Sequence, residues 1–272
     1  MKTKYTHLFQ YGSWALVSGA SSGIGKTFCE ELAAQGMNLV ITGRKESTLM
    51  KLKQEWERSY KVKVQVRELD LTLNESIDRF FSSLKGLDIG LFIHSAGMES
   101  HGRFEQSSEE HEMELLQLNV ASTLRLTRYF SDKLVKRGQG GILLVSSLAS
   151  HFISPYFANY SASKAYINML ALSLREELRA KKVDVSVLAP GLTQTPMLDA
   201  VEKDIDWSKT PMKNMSTLEV VQTALEDFPR KGTIIPGKAN RIVSFIGSRV
   251  MPEKFGRNNE KMMREAFRQI RG

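Results

Sequence analysis

The 272-residue chain reads as an α/β protein, a doubly wound parallel sheet of about seven strands with helices on both faces. Three observations predict this. Short apolar runs alternate with segments of helical period. Most of the runs are continuously apolar, as strands covered on both faces must be. The first run leads straight into a glycine-rich turn followed by a helical pattern.

The elements follow in order. "WALVS" (14–18) is a buried strand, and Ile24, Phe28 and Leu32 then recur at helical spacing until Gly36 stops the helix. "NLVIT" (38–42) is a second buried strand. "KVKVQVREL" (61–69) alternates apolar and polar residues, which suits a half-exposed strand near a sheet edge. "GLFIH" (90–94), "GILLVSS" (141–147), "VDVSVLAP" (183–190) and "GTIIP" (232–236) supply four more strands. Two long helices are expected at 108–136 and 156–180, and Ser216 with Glu219 predicts a capping box on the helix before the last strand. With no repeat, low-complexity tract or linker, the whole of 1–272 is expected to form one domain.

Hydrophobic residues make up 42% and charged residues 25%, ordinary for a soluble globular chain. The single cysteine, Cys29, excludes an internal disulfide and fits a reducing compartment. "MKTKYTHLFQYGSW" has no apolar run long enough for a signal peptide or a membrane span, so a cytoplasmic protein is expected. The net charge of +8 is compatible with nucleic acid, an anionic membrane, anionic small ligands or a solvated basic surface. No nucleic-acid motif accompanies it, and no nucleic-acid partner is expected.

Ligands of such sheets bind beyond the carboxyl ends of the strands. The residues ending the runs should therefore converge on one crevice. In "VSGASSGIG" (17–25) the glycines Gly19, Gly23 and Gly25 are spaced Gly-x-x-x-Gly-x-Gly, unlike the common Gly-x-Gly-x-x-Gly. A glycine turn between strand and helix lets the backbone approach a pyrophosphate, and the helix N-terminus adds amide donors and positive potential. Alone, the turn is equally an ordinary glycine-rich loop. "YSASK" (160–164) sets Tyr160 and Lys164 at i and i+4 on one helix face. A nearby ammonium favours the phenolate, so Lys164 is expected to lower the tyrosine pKa from about 10 and fit it for general acid–base work. Ser147, thirteen residues before Tyr160, ends a predicted strand where its hydroxyl can face the crevice.

"SGASSGIG", "HSAG" (94–97), "LNV" (118–120), "VSS" (145–147), "YSASK" and "PGLTQT" (190–195) together resemble the short-chain dehydrogenase/reductase family in order and spacing, over roughly 11–237. The glycine spacing resembles that family's own nucleotide turn. The resemblance is strongest to the branch holding 3-oxoacyl-CoA reductases and hydroxysteroid dehydrogenases. It implies a Rossmann-like fold and hydride exchange between a carbonyl and a secondary alcohol. It makes Tyr160 the proton donor or acceptor and has Ser147 hydrogen-bond the substrate oxygen. Lys164 would bind the nicotinamide ribose and bias Tyr160, and Asn119 would hold a proton-relay water. It places the cofactor against Gly19, Ser21, Ser22, Gly23, Ile24 and Gly25, then Asp70 and Leu71, Ser95, Ala96 and Gly97, and finally Asn119, Tyr160, Lys164, Pro190, Gly191, Thr193 and Thr195.

Gly43-Arg44 stands where an acid would hold the adenosine ribose of NAD. Without that acid, an arginine can bind a 2′-phosphate through charge-assisted bonds, so the expected cofactor is NADP(H). Two positions depart from the family pattern. Ser95 replaces the usual Asn, which predicts altered local bonding rather than lost catalysis. Ser18 replaces the more usual Thr. His94, a lone histidine without a partner motif, reads as structural, and no metal is expected.

Met197, Leu198, Val201, Ile205, Trp207, Met212 and Met215 in a substrate loop at 190–216, with Phe152, Ile153 and Phe157, suit a small apolar carbonyl or alcohol. Each equally suits core packing. A non-catalytic NADP(H)-binding sensor or scaffold is the alternative, and the intact Asn119, Ser147, Tyr160 and Lys164 set weighs against it. Family members often form homodimers or homotetramers through the two long helices. Residues 238–272 form a basic extension, with an apolar stripe of Ile242, Val243, Phe245 and Ile246, broken into two helices by Pro252. It can lie peripherally on an anionic membrane, cap a pocket or cover the protein's own surface.

Overall fold

A computed structural model describes residues 4–210, 212–250 and 252–268. Arg271, one of the cations of the basic extension, lies outside them. Seven parallel strands form one sheet: β1 (Trp14–Ser18), β2 (Asn38–Gly43), β3 (Val64–Glu68), β4 (Leu91–His94), β5 (Gly140–Val145), β6 (Val183–Leu188) and β7 (Thr233–Ile234). Their order across the sheet is β3-β2-β1-β4-β5-β6-β7. The chain winds outward from β1 to β3, returns, and winds the other way from β4. The crevice at this reversal lies beyond β1 and β4, where ligands of open α/β sheets bind.

The continuous apolar runs have a direct cause. Side chains alternate faces along a strand, and both faces are packed. Ala15 and Val17 of β1 join one core with Leu39, Ile41, Leu143 and Val145, against helices α1 (Gly23–Ala34), α2 (Glu46–Tyr60) and α8 (Thr217–Asp227). Leu16 joins the opposite core with Val40, Phe92, Ile142 and Leu144. On that side lie α3 (Asn74–Ser83), α5 (Ser122–Arg137) and α6 (Ala158–Arg179).

The alternating third run is an edge strand, as its pattern predicts. It begins only at Val64, because Lys61 takes a left-handed conformation to end α2. At the other edge, β7 pairs through only Thr233 and Ile234. The ladder ends before Pro236, which has no N–H to donate. Ser146 and Ser147 lie just past β5 rather than within it. Ser216 and Glu219 form the expected capping box.

The expected helix at 108–136 is instead three pieces. α4 (Glu109–Leu116) passes into a π-helical turn at Gln117–Ala121 and then into α5. Single π turns are frequent at functional sites, and this one is centred on Asn119. The segment 190–216, expected as a substrate loop, contains α7 (Pro196–Val201) and is closed at its base by Gln194 N donating to Met215 O at 2.9 Å. Beyond β7 come α9 (Lys238–Phe245), a second π-helical segment (Ile246–Val250) and α10 (Pro252–Ala266), with Pro252 opening the last helix. α10 and the substrate loop share a third, smaller core of Val201, Ile205, Met263, Ala266 and Phe267. No helix among the described residues is long and apolar enough to cross a membrane.

Candidate active site

One cavity of about 400 Å³ runs across the carboxyl ends of the strands, within the size range of small-molecule sites. Of the residues picked out for catalysis or cofactor, all but one line it: Gly19, Ser21, Ser22, Gly23, Ile24, Gly25, Arg44, Asp70, Leu71, Ser95, Ala96, Gly97, Ser147, Tyr160, Lys164, Pro190, Gly191, Thr193 and Thr195. Asn119 stands behind the wall, fully buried.

The nucleotide end begins at the turn between β1 and α1. A Cβ at Gly25 would run into the Gly19 carbonyl, and one at Gly19 would lie 2.8 Å from the Ala96 amide nitrogen. These glycines let the helix start close against β1 and β4. Unlike α4, α7 and α8, α1 begins without a side-chain cap, and its first turn holds no acidic residue. Its first amides are thus left for a ligand, and an anion fits them. Further along, Arg44 lies exposed beside Gly43, with no side-chain hydrogen bond or ion pair to any described residue. Asp70 does two jobs: Oδ1 accepts from Thr72 N (2.9 Å) and Thr72 Oγ1 (2.7 Å), making the turn, while the residue also lines the cavity.

At the centre, α6 carries both Tyr160 and Lys164 to the end of β5. Lys164 is only 5% exposed. Its ammonium donates to the Val145 carbonyl at 3.4 Å, and a Cβ at Gly97 would come within 3.1 Å of Nζ. Burial lowers its pKa from 10.5 to about 8. The expected lowering of the Tyr160 pKa by Lys164 does not occur. Burial instead holds the phenol above its ordinary value, the Ser147 hydroxyl beside it pulls the other way, and the Glu99 carboxylate adds to the rise. The ammonium sits 5.7 Å from the tyrosine ring centre, is itself desolvated, and is directed to a carbonyl.

Asn119 is held by the π turn. Its Oδ1 accepts from Met98 N (2.9 Å), and Nδ2 donates to Met98 O (2.8 Å) and Ser163 Oγ (3.1 Å). It therefore ties the loop after β4 to α6. Of the two family departures, Ser18 joins a hydrogen-bond chain with His94, and Ser95 enters it only through its backbone amide. Ser95 N donates to Ser18 Oγ (3.2 Å), and Ser18 Oγ meets His94 Nδ1 (2.7 Å). His94 Nε2 meets Thr123 Oγ1 (2.9 Å), which donates to the Asn119 carbonyl (2.7 Å). Each hydrogen is used once only if His94 is neutral and protonated at Nε2. Burial, with the Lys164 charge adding to it, lowers its pKa to about 3. His94 thus braces β4 against β1 and the π turn.

The far end of the cavity is apolar. Met197, Leu198, Val201, Trp207, Met212, Phe152 and Phe157 line it as expected. Ile205 belongs to the third core, Met215 packs on the first, and Ile153 stands half exposed outside. Sequence reasoning missed Glu99, Asn259 and Met263, which also line the cavity. No motif signalled the two from α10, because contact between α10 and the substrate loop exists only in three dimensions. His101, also missed, joins Glu99 (2.8 Å) to Asp204 of the substrate loop (3.1 Å).

The family model for short chain dehydrogenase matches residues 13–206. The chain belongs to the short-chain dehydrogenase family. It is 30% identical to a 7beta-hydroxysteroid dehydrogenase of Mediterraneibacter gnavus, over 85% of this chain and 89% of that one. It is 35% identical to a very-long-chain 3-oxoacyl-CoA reductase of Pyricularia oryzae, over 71% of this chain and 60% of that longer one. Both names match the branch that the motifs resemble. A short-chain dehydrogenase from Sphingobium yanoikuyae, solved in complex with NADPH, has 30% identity and a TM-score of 0.78, covering 87% of this chain and 93% of that one.

The His94 network makes a pH-dependent prediction. The folded pKa lies below the ordinary 6.5, so the unfolded chain binds more protons between pH 6.5 and about 3. The stabilisation is complete above pH 6.5 and is lost as pH falls, by about 1.4 kcal/mol per unit. Urea unfolding of His94→Leu should show a loss of about 1–3 kcal/mol at neutral pH, from the buried hydroxyls left unpaired. It should also show a shallower decline than wild type between pH 6.5 and 5. Parallel declines would mean that His94 is not the titrating group.

Proposed function

We propose that the protein is an NADP(H)-dependent oxidoreductase that interconverts a ketone and a secondary alcohol on a bulky apolar substrate. The observation that carries this reading is one continuous cavity, with an uncapped helix start and a free arginine at one end and an apolar wall at the other. Ser147, Tyr160 and Lys164 stand between them.

The residues fit a nicotinamide dinucleotide. The α1 turn would hold its pyrophosphate, Asp70 and Leu71 its adenine side, Arg44 its 2′-phosphate, and Pro190, Gly191, Thr193 and Thr195 its nicotinamide side. Bound there, the cofactor supplies or accepts the hydride. Reduction builds negative charge on the substrate oxygen. The Ser147 and Tyr160 hydroxyls stabilise that charge, and Tyr160 delivers the proton. The phenol's raised pKa keeps its proton in place. Lys164 holds positive charge beside the tyrosine, and Asn119 keeps the loop after β4 in register with α6. Phe152, Phe157, Trp207 and the substrate-loop methionines exclude water and select apolar bulk. The names of the hydroxysteroid and 3-oxoacyl relatives support that substrate class, and the NADPH of the Sphingobium protein supports the cofactor. Exposed Met113, Leu124 and Met169 on α4, α5 and α6 support assembly of copies through these helices.

NADPH oxidation across ketones of rising bulk, from short-chain to long-chain and steroidal, tests the proposal. Turnover should rise with apolar bulk. NADPH binding without turnover on any ketone would make the chain a sensor or scaffold. Tyr160→Phe should lower turnover by roughly 10²–10⁴-fold while NADPH affinity survives. Near-normal turnover would remove Tyr160 from the chemistry. Arg44→Ala should weaken NADPH binding by about one to two orders of magnitude and leave NADH almost unaffected. Equal losses for both cofactors would show that Arg44 does not read the phosphate.

A further inference from the structure

The segment α9 and the π-helical turns after it are folded inside out. At helical spacing, residues 242, 245, 246 and 250 share one face. That face is apolar, and it points to solvent: Ile242 and Phe245 are each 59% exposed, Val250 50% and Ile246 40%. The buried face holds Asn240, Ser244 and Gly247. The arrangement is not loose, since Asn240 Nδ2 donates to the Pro236 carbonyl at 2.8 Å. An ordinary surface helix buries its apolar stripe. One that turns it outward presents it to something else.

We propose that this face is a docking surface for an anionic lipid bilayer. Two observations select that occupant. The first is charge. From Lys238 to Arg268 the sequence has eight basic residues against three acidic ones, which accounts for most of the chain's net charge of +8. Lys238, Arg241 and Arg249 flank the stripe, and all three are exposed. A second copy seated face to face on the same stripe would bring these cations against their own counterparts. An anionic surface complements them, and a basic face with an apolar ridge is the pattern of interfacial helices.

The second observation is position. Phe152 lines the apolar end of the cavity, and its ring packs 5.0 Å from that of Phe255 on α10. Ile153 is half exposed, and its carbonyl accepts from Asn259 Nδ2 at 3.0 Å. Asn259 itself lines the cavity. The segment carrying the stripe thus continues into the wall of the apolar pocket. Seated on a bilayer, it brings that end of the cavity towards the phase in which an apolar substrate dissolves.

Flotation of the full-length protein with vesicles of equal parts phosphatidylcholine and phosphatidylglycerol tests this, without substrate or cofactor. The result is therefore independent of the oxidoreductase reading. The protein should float with these vesicles, not with pure phosphatidylcholine, and less at raised salt. Lys238→Gln with Arg249→Gln should weaken binding roughly 25-fold, at about fivefold per cation. Phe245→Ser with Ile246→Ser should abolish flotation, while the far-UV circular dichroism spectrum and the urea unfolding midpoint stay at wild-type values. Those two readouts also certify that the variants fold. Failure of the wild type to float with the anionic vesicles would overturn the proposal. So would flotation unchanged by Phe245→Ser with Ile246→Ser. A fall in the oligomer mass of that variant without vesicles, with no wild-type flotation, would assign the face to a second copy instead.

Discussion

A buried ammonium organises the carboxyl edge of this sheet. Lys164 has almost no contact with water, and an isolated buried charge is costly unless the protein surrounds it with dipoles. The structure answers from three directions. β5 offers the Val145 carbonyl, Gly97 keeps the loop after β4 open around Nζ, and the π turn sets Asn119 close behind. Met98 and Ser163 then fix the Asn119 amide, and the Ser18–His94–Thr123 chain fixes its backbone. Distant pieces of chain are thereby held in register around one charge. The cost appears in the ammonium itself, which gives up its proton far more readily than an exposed lysine.

This seam divides the cavity into two chemical halves. On one side are backbone amides, glycines and a free guanidinium, suited to phosphate. On the other are methionines, aromatics and aliphatic side chains, suited to a hydrocarbon body. The parallel sheet supplies the first half, because every strand ends on the same edge. The substrate loop and α10 supply the second through their own small core. That core is separate from the two that pack on the sheet.

Much of this was legible in the sequence, and the limits have physical causes. Strands packed on both faces must be apolar throughout, so β1, β2, β4 and β5 read directly. The edge strand β3 gave itself away by alternation. The glycine turn, Ser147, Tyr160 and Lys164 were legible because their chemistry demands particular residue types at particular spacings. The π turn was not, since one extra residue in a helical turn barely disturbs the apolar period. The expected pKa of Tyr160 failed because spacing gives proximity but not desolvation, and burial outweighs the neighbouring charge. The link between Ser18 and His94 was not legible, because strand pairing alone makes them neighbours. The contribution of α10 to the cavity depends on a tertiary contact that no local pattern encodes.

The seam keeps Lys164 dry and weakly basic. Carbon-13 NMR of Cε-labelled lysines in the nucleotide-free protein measures this directly, with Lys164→Met identifying the resonance. The expected result is a midpoint near 8 for Lys164, set apart from the other lysines. A midpoint at the ordinary 10.5 would mean that water reaches the ammonium and that the seam does not do what its geometry implies.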